Sequence, residues 1–176
     1  LFAVKGVNVF LDMAKIIADK REDIDFIILG NGEMWQQCQD FIKENKLENR
    51  VYMAGQGTDP VMMNSYYKYI DVNTLTSYSE SFPYALLEGA RCKCATVATA
   101  VGGIPEMIID GESGCLVQSG DSKALAECVE MLCDKDDIRI RYGVNFYERA
   151  KENFSSQAMA NTHKKIYEKI IKENVK

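Results

Sequence analysis

Two glutamates stand on either side of a predicted helix start, in residues 77–88, whose sequence is Ser-Tyr-Ser-Glu-Ser-Phe-Pro-Tyr-Ala-Leu-Leu-Glu. Glu80 precedes the helix that Pro83 opens, and Glu88 lies one to two turns inside it. Carboxylates accept hydrogen bonds from vicinal hydroxyls, so the two side chains can flank one hydroxyl-rich molecule at separate points. The alternative is that Glu80 is a solvated loop residue and that Glu88 is ordinary helix surface.

The start of this helix predicts a binding site for an anion. A proline in the first turn leaves the neighbouring backbone N–H groups without intrahelical acceptors, here those of Phe82, Tyr84 and Ala85. The helix dipole favours negative charge at the same place by roughly 0.3–2 kcal/mol. An anion site with a hydroxyl-binding carboxylate on either side predicts a nucleotide-sugar, in which phosphates lie between two sugars.

Glycines at two further turns allow close approach of the backbone to a ligand. Gly30 and Gly32 follow a predicted strand and precede a helix, where a phosphate can bind. The third glycine of a dinucleotide fingerprint is replaced by Trp35, which argues against a dehydrogenase and leaves an ordinary turn as the alternative. The pair Gly102-Gly103 either contacts a ligand or only forms the turn before the next helix.

The elements that must position these residues follow from the apolar spacing, which switches between a helical period and short β-rich runs. Strands are predicted at 25–29, 51–54, 71–75, 95–98 and 115–117, and helices at 7–18, 34–42, 61–69, 104–109, 122–133, 138–152 and 156–173, with one more opened by Pro83. The alternation predicts a doubly wound, parallel α/β fold with extra C-terminal helices, in one domain. Ligands bind such sheets at the carboxyl ends of the strands, which directs attention to the loops after Leu29, Ala54, Leu75 and Ala98.

Composition excludes several classes of protein. The chain has 176 residues, and its 21 basic and 26 acidic side chains give a formal charge of −5, which argues against nucleic acid as a partner. The longest apolar runs are strand-sized, so no membrane span is predicted. Six cysteines without a framework spacing predict a reduced, cytoplasmic protein, and Cys92 and Cys94 have neither a second pair nor a nearby histidine, so no metal site is predicted. The chain opens at Leu1 rather than at a methionine, and we expect it to belong to a longer protein.

The order of the motifs resembles that of the retaining glycosyltransferases of the GT-B fold, family 4 (glycosyl transferases group 1). The paired glutamates, Glu80 and Glu88 with seven residues between them, carry the resemblance. It extends over nearly the whole chain through further motifs in the family's order: Lys5-Gly6, residues 28–32, residues 51–55, Ala98-Thr99, residues 102–106, and Asp110-Gly111 with Gly114. The resemblance implies the C-terminal half of a GT-B fold, a Rossmann-like donor-binding domain over residues 1–176, with an N-terminal acceptor domain elsewhere in the protein.

The resemblance also implies roles for the matching residues. Lys5 neutralises the departing diphosphate and Glu80 holds hydroxyls of the transferred sugar, so these two are the implied catalytic residues, whereas Glu88 holds the ribose hydroxyls. The other implied substrate-binding residues line the sugar, the diphosphate or the nucleotide: Gly30, Gly32, Gly55, Ser81, Phe82, Pro83 and Tyr84. The chain departs from the family pattern in having no arginine within positions 1–4, serine at position 81 instead of glycine, and Lys93 where glycine is usual.

We therefore expect the donor-binding half of a retaining glycosyltransferase that needs no metal or other cofactor. It is expected to transfer a hexose from a UDP- or GDP-sugar in polysaccharide, glycolipid or cell-envelope glycan synthesis, and to be inactive alone. A helix at 154–176 is expected to contact the N-terminal domain, and six lysines against three glutamates between 151 and 176 predict either a solvated face or peripheral contact with the inner face of a membrane. Two alternatives stay open, a sugar-nucleotide epimerase of related fold and a non-catalytic nucleotide-binding module.

Overall fold

The computed structural model describes residues 1–57 and 59–174, in which five β-strands alternate with helices. The strands are β1 (Phe26–Leu29), β2 (Val51–Gly55), β3 (Val72–Leu75), β4 (Ala95–Thr99) and β5 (Cys115–Val117). The α-helices are α1 (Val7–Ala18), α2 (Trp35–Glu44), α3 (Pro60–Tyr69), α4 (Tyr84–Arg91), α5 (Ile104–Met107), α6 (Ser122–Asp134), α7 (Asp136–Asn153) and α8 (Ser156–Asn174). Every predicted strand and helix is present, although some ends differ; α5, for example, stops at Met107 because Ile108 is extended.

Side-chain caps determine where two of the helices begin. Asp59 Oδ1 accepts a hydrogen bond of 2.9 Å from Val61 N at the start of α3, where Pro60 is the first helical residue. Asp121 Oδ1 accepts one of 2.9 Å from Ala124 N at the start of α6. Each bond satisfies a backbone donor that lacks an intrahelical acceptor, which is worth about 1 kcal/mol. Both starts agree within one residue with the helices predicted at 61–69 and 122–133.

All strand pairs are parallel, which confirms the predicted doubly wound α/β fold class. The strands lie in two sheets, β1-β2 and β3-β4-β5. The register pairs Phe26 with Val51 in the first sheet and Val72 with Ala95 in the second. Among the described residues β1 and β3 do not pair with each other, and a cavity lined by both strands separates them. The sequence does not predict this division of the sheet.

Alternate residues of β4 pack in two separate parts of the core, because successive side chains of a strand point to opposite faces of the sheet. Val97 packs in a cluster with α1 and α6, which includes Ile17. Its neighbour Ala98 packs with Leu86 of α4 and Phe146 of α7. Helices therefore cover both faces. Because α1 also packs against α6, the first cluster joins elements of both sheets.

The turn after α4 keeps its shape without the glycine that is usual in the family. Lys93 has a φ of 57°, in the left-handed region, and its N–H donates to Ala90 O at 2.9 Å. Cys94 N donates to Gly89 O at 3.1 Å, so both bonds of a helix-ending turn are made. A residue with a β-carbon adopts this conformation at a cost of roughly 1–2 kcal/mol. The departure at Lys93 therefore leaves the turn intact.

α8 follows α7 without an intervening strand, as predicted, and residues 175–176 of the predicted helix 154–176 lie outside the described residues. Apolar side chains along α8 are between 48% and 61% exposed: Met159, Ile166, Tyr167, Ile170 and Ile171. Contact of this helix with another domain or with a membrane stays a prediction. Across residues 1–57 and 59–174, the helices lack the combination of length and apolar content that a membrane crossing requires.

Gly143 allows α7 to approach β4 closely, and this packing can be tested. A β-carbon at this position would lie 2.8 Å from the carbonyl carbon of Lys93 and closer still to its oxygen. Gly143→Ala should lower the free energy of unfolding by about 1–3 kcal/mol through overpacking, although alanine is the better helix former. Val144→Ala is the matched control, since Val144 is 37% exposed on the same helix and should change stability by less than about 0.5 kcal/mol. Urea unfolding measures the free energy of unfolding of both variants. An unchanged value for Gly143→Ala would contradict the close packing.

Candidate functional site

The centre of the candidate site is an ion pair between Lys5 and Glu80. Lys5 Nζ lies 2.7 Å from Glu80 Oε1, and Ser77 Oγ donates a hydrogen bond of 2.6 Å to the same oxygen. The Glu80 side chain is 8% exposed, whereas that of Lys5 is 50% exposed. Glu80 Oε2 makes no hydrogen bond with the described residues and can accept one from a ligand. The lysine ammonium has three N–H donors, so it can serve Glu80 and a ligand at the same time.

Backbone contacts hold Lys5 beside the end of β3. Tyr78 N donates to Val4 O at 2.8 Å, and Thr76 Oγ1 donates to Lys5 O at 3.1 Å. Gly6 has a φ of 63° and packs so closely on Thr76 that a β-carbon would clash with its carbonyl oxygen. Only glycine suits both this conformation and this approach. The Lys5-Gly6 dipeptide thus places the lysine at the carboxyl end of β3, where parallel α/β sheets bind ligands.

A second set of contacts positions the loop that carries Glu80. Gly102 and Gly103 lie against the backbone of Glu80 and of the residue after it, and a β-carbon on either glycine would clash with a carbonyl oxygen. From the end of β4, Thr99 Oγ1 donates to Ser77 O at 2.7 Å. The two glycines therefore support the loop that carries Glu80, in addition to forming the turn before α5.

α4 begins beside the ion pair, with Pro83 as its N-cap residue rather than within its first turn. No side chain caps this helix start. Since the first N–H groups of a helix have no intrahelical acceptor, those of Tyr84 and Ala85 can bind an anion. Pro83, Tyr84 and Ala85 line a cavity of about 400 Å³ together with Lys5 and Glu80. The anion site and the ion pair therefore face the same space.

Glu88 lies one turn further along α4 and lines a neighbouring cavity of about 400 Å³. Its Oε2 accepts a hydrogen bond of 3.4 Å from the hydroxyl of Tyr67 on α3. Burial raises the pKa of Tyr67 well above its usual value and the charge of Glu88 raises it further, so the tyrosine remains a donor. Tyr84 lines both cavities, so the start of α4 connects the surroundings of the two glutamates.

The predicted glycines lie around the turn after β1. Gly30 lines the first cavity, and its N–H donates to Gly55 O at 2.8 Å. Gly32 has a φ of 152° and lies against the backbone of Leu1, which a β-carbon would clash with. Met34 N in turn donates to Leu1 O at 3.1 Å. Gly32 therefore allows the N-terminal segment to pack closely against this turn, and the carbonyl of Gly55 holds Gly30 by accepting its hydrogen bond.

Half of the predicted site residues share the first cavity: Lys5, Gly30, Glu80, Pro83 and Tyr84. Glu88 lines the neighbouring cavity, and Gly32 and Gly55 support the turn that carries Gly30. Ser81 and Phe82 are exposed in the loop before α4 and line neither cavity in the described part of the chain. The roles assigned to these residues stay predictions.

Two residues of the site are absent from the sequence prediction. Ser77 has a local signal, because a short hydroxyl side chain three residues before Glu80 can bond within its own loop. Tyr67 has none, since it reaches Glu88 from another helix, 21 residues earlier in the chain.

The described residues contain no group of three or more His, Cys, Asp or Glu side chains that could hold a metal ion. The six cysteines are free thiols. Independence from metal ions and a reducing compartment stay predictions.

The family model described as Glycosyl transferases group 1 matches residues 1–153. CapM of Staphylococcus aureus, a capsular polysaccharide biosynthesis glycosyltransferase, is 26% identical over 174 residues, which cover 97% of this chain and 44% of CapM. The chain spans less than half the length of the first curated relatives it matches.

Two solved structures show the same fold. The C-terminal domain of LpcC from Francisella tularensis, a glycosyl transferase group 1 family protein, has a TM-score of 0.81 at 25% identity, covering 89% of this chain and 83% of that one. HepE of Anabaena in complex with UDP-glucose has a TM-score of 0.83 at 23% identity, covering 94% of this chain and 46% of HepE. The fold is thus the Rossmann-like C-terminal half of GT-B glycosyltransferases. Together with the family match over most of its length, this fold shows that the chain belongs to the glycosyl transferases group 1 family.

Proposed function

We propose that this chain is the donor-binding half of a retaining family 4 glycosyltransferase, which transfers a hexose from a nucleotide-diphosphate sugar to an acceptor. The observation that carries the proposal is the pair of Lys5 and Glu80 beside the first turn of α4, in one cavity at the carboxyl ends of the strands. The biosynthetic role named for CapM supports an acceptor in polysaccharide or cell-envelope glycan synthesis. The UDP-glucose complex of HepE supports UDP as the donor nucleotide.

The two members of the ion pair act on different parts of the donor. Glu80 binds sugar hydroxyls through Oε2, because Oε1 is already engaged by Lys5 and Ser77. Lys5 directs its remaining N–H donors at the diphosphate. Fixing both groups in one ion pair sets the sugar and the diphosphate at a defined separation.

The chemical step needs charge stabilisation at two points. The bond between the anomeric carbon and the phosphate oxygen breaks, and a bond from the anomeric carbon to the acceptor oxygen forms with the same configuration. The proton of the acceptor hydroxyl passes to an oxygen of the departing diphosphate. Negative charge develops on the departing diphosphate, where Lys5 and the first N–H groups of α4 stabilise it. Positive charge develops at the anomeric carbon, where the carboxylate of Glu80 is favourable.

Glu88 binds the nucleotide at the other end of the donor. Its carboxylate accepts hydrogen bonds from the ribose hydroxyls, and the bond from Tyr67 fixes its orientation. The second cavity, lined by Glu88, Tyr84 and Pro60 among others, then takes the nucleoside, and the diphosphate crosses the start of α4.

The remaining parts of the proposal concern the rest of the protein. An N-terminal domain supplies the acceptor site and contacts α8, whose exposed apolar side chains suit such an interface. The lysines of α8 favour peripheral attachment to the inner face of a membrane, in the cytoplasm.

The two glutamates should respond differently to substitution. In the full-length protein, Glu88→Ala should weaken UDP and UDP-sugar binding alike, by roughly 10- to 100-fold, because charge-assisted hydrogen bonds to the ribose are lost. Glu80→Ala should leave UDP affinity within about threefold, since Lys5 can still meet the diphosphate, but remove any affinity added by the sugar and strongly lower turnover. Calorimetric titration measures the affinities.

Two variants serve as comparisons for this experiment. Glu44→Ala removes an exposed carboxylate from α2 and should change nothing. Tyr67→Phe removes the hydroxyl beside Glu88 and should weaken UDP binding by about 2- to 10-fold. Equal loss of UDP binding in Glu80→Ala and Glu88→Ala, with circular dichroism unchanged, would contradict the assigned roles. No change in either would contradict the proposed function.

Donor binding should not depend on a divalent cation, because Lys5 and the start of α4 supply the positive charge for the diphosphate. Titrations of UDP in EDTA and in magnesium should agree within about threefold. A strict requirement for magnesium or manganese would contradict the proposal.

The 176-residue chain alone should not transfer sugar, because the proposed acceptor site lies in another domain. Incubation with a panel of nucleotide-sugars and acceptors should give no glycosylated product by mass spectrometry. Robust turnover by the isolated chain would contradict the proposal that the donor and acceptor sites lie in two different domains.

A further inference from the structure

The loop that carries Glu80 has little backbone support of its own. Residues 79–82 lie between the end of β3 and the start of α4, outside any helix or strand. In the described part of the chain, no backbone N–H or C=O group of these four residues makes a hydrogen bond. The position of the Glu80 carboxylate therefore depends on side-chain contacts and on close packing against the loop.

Phe82 provides one such contact, because its ring packs against a ring from a distant part of the chain. The ring centroids of Phe82 and Phe154 lie 5.6 Å apart, at an interplanar angle of 67°. Those of Phe82 and Tyr84 lie 6.1 Å apart, at 83°. Both are edge-to-face arrangements, which stabilise an aromatic pair beyond the area that it buries. Since Phe82 lines neither of the two cavities of the site, its ring supports the loop rather than the ligand.

Phe154 can hold Phe82 because it is itself anchored. It is the residue at which α7 ends, and its N–H donates to Ala150 O at 2.9 Å. Its half-buried side chain packs against the apolar cluster that α4, β4, α5 and α7 form. The guanidinium of Arg149 lies 5.9 Å from its ring centroid, within the range of a cation–π contact. The ring of Phe154 is therefore held by contacts on both its backbone and its side chain.

Arg149 joins this ring to the other support of the loop. Its Nε donates to Met107 O at 2.9 Å and its Nη2 to Glu106 O at 2.7 Å, both at the end of α5. α5 follows Gly102-Gly103, whose backbone packs closely against the loop. One arginine of α7 thus fixes the helix behind the two glycines and also contacts Phe154.

We propose that Phe154 is a positioning residue for donor binding: its ring holds Phe82, and through Phe82 it keeps the carboxylate of Glu80 where the sugar binds. Phe82 is two residues after Glu80, so a shift of its ring moves the backbone that carries the carboxylate. Phe154 lines neither cavity and acts only through the loop. The inference rests on the proposed function, in which Glu80 binds the sugar and Glu88 binds the nucleotide.

Binding measurements on the full-length protein separate this role from a general effect on stability. The probes are UDP and three sugar nucleotides, UDP-glucose, UDP-galactose and UDP-N-acetylglucosamine, each titrated by calorimetry. Phe154→Ala should leave UDP affinity within about threefold, because Glu88 is undisturbed. The highest ratio of UDP-sugar affinity to UDP affinity should fall to within about twofold of its value in Glu80→Ala.

Four further variants complete this experiment. Adding Phe154→Ala to Glu80→Ala should change the ratio by less than about twofold, because both substitutions remove the same interaction. Phe154→Tyr keeps the ring and should retain the parental ratio within about twofold. Leu116→Ala, the matched control, truncates a side chain that packs against the same apolar cluster and should leave the ratio unchanged. Phe82→Ala removes the same ring pair from a residue that is 39% exposed, and it replaces Phe154→Ala if that variant fails to fold.

NMR relaxation of the full-length protein without ligand tests the positioning itself. Phe154→Ala should lower the backbone order parameters of residues 79–82 from about 0.85 to below about 0.6. Those of β4 should not change, and neither should those of the loop in Leu116→Ala. Unchanged order parameters of the loop in Phe154→Ala would overturn the inference whatever the titrations show.

The titrations distinguish failure of this inference from failure of the proposed function. A parental ratio in both Phe154→Ala and Phe82→Ala would overturn the inference and leave the proposed function intact. Equal loss of UDP and UDP-sugar binding in these variants would also overturn it, because Phe154 would then have only a structural role. Absence of UDP and UDP-sugar binding in the unaltered protein would contradict the proposed function, and with it the role of Phe154 in sugar binding.

Discussion

The contact between the N-terminal segment and the end of β3 determines much of the candidate site. It consists of the hydrogen bond from Tyr78 to Val4 and the close approach of Gly6 to the carbonyl of Thr76. Because the backbone is fixed on both sides of Lys5, the lysine begins within reach of Glu80, and its Nζ lies 2.7 Å from Glu80 Oε1. The same contact sets the point at which α1 begins, and α1 joins the two sheets by packing on α6. The same backbone contacts therefore position both the Lys5–Glu80 ion pair and the helix that joins the two sheets.

The features that the sequence predicts well are local ones. Asp59 and Asp121 begin helices through bonds to residues two or three positions away, so their effect is visible in a short stretch of sequence. The alternation of strands and helices likewise predicts parallel pairing, because parallel neighbours need a crossover. Ligands bind at the carboxyl ends of such strands, so the sequence alone predicts that Gly30 and Glu80 lie at the same end of the sheet.

The features that sequence reasoning misses depend on residues far apart in the chain. Lys5 and Glu80 are separated by 75 residues, and nothing in either stretch predicts that the two side chains pair directly. The close fit of Gly102 and Gly103 under the Glu80 loop has the same character, since glycines in a turn have several uses. The division of the sheet between β1 and β3 is invisible in the sequence because both strands are normal in composition and length. The family resemblance implies the role of each site residue. Spacing alone also allows Glu80 to be a solvated loop residue and Glu88 to be ordinary helix surface.

The two glycines next to the Glu80 loop have a consequence for which substitutions the chain tolerates. Gly102 has a φ of 53°, in the left-handed region, and a β-carbon on it would clash with the carbonyl oxygen of Glu80. A β-carbon on Gly103 would clash in the same way with the carbonyl oxygen of Ser81. Any larger residue at either position must therefore displace the loop, and the carboxylate of Glu80 moves with it relative to Lys5. The turn before α5 thus controls the spacing of the two charges although it contributes no side chain to the site.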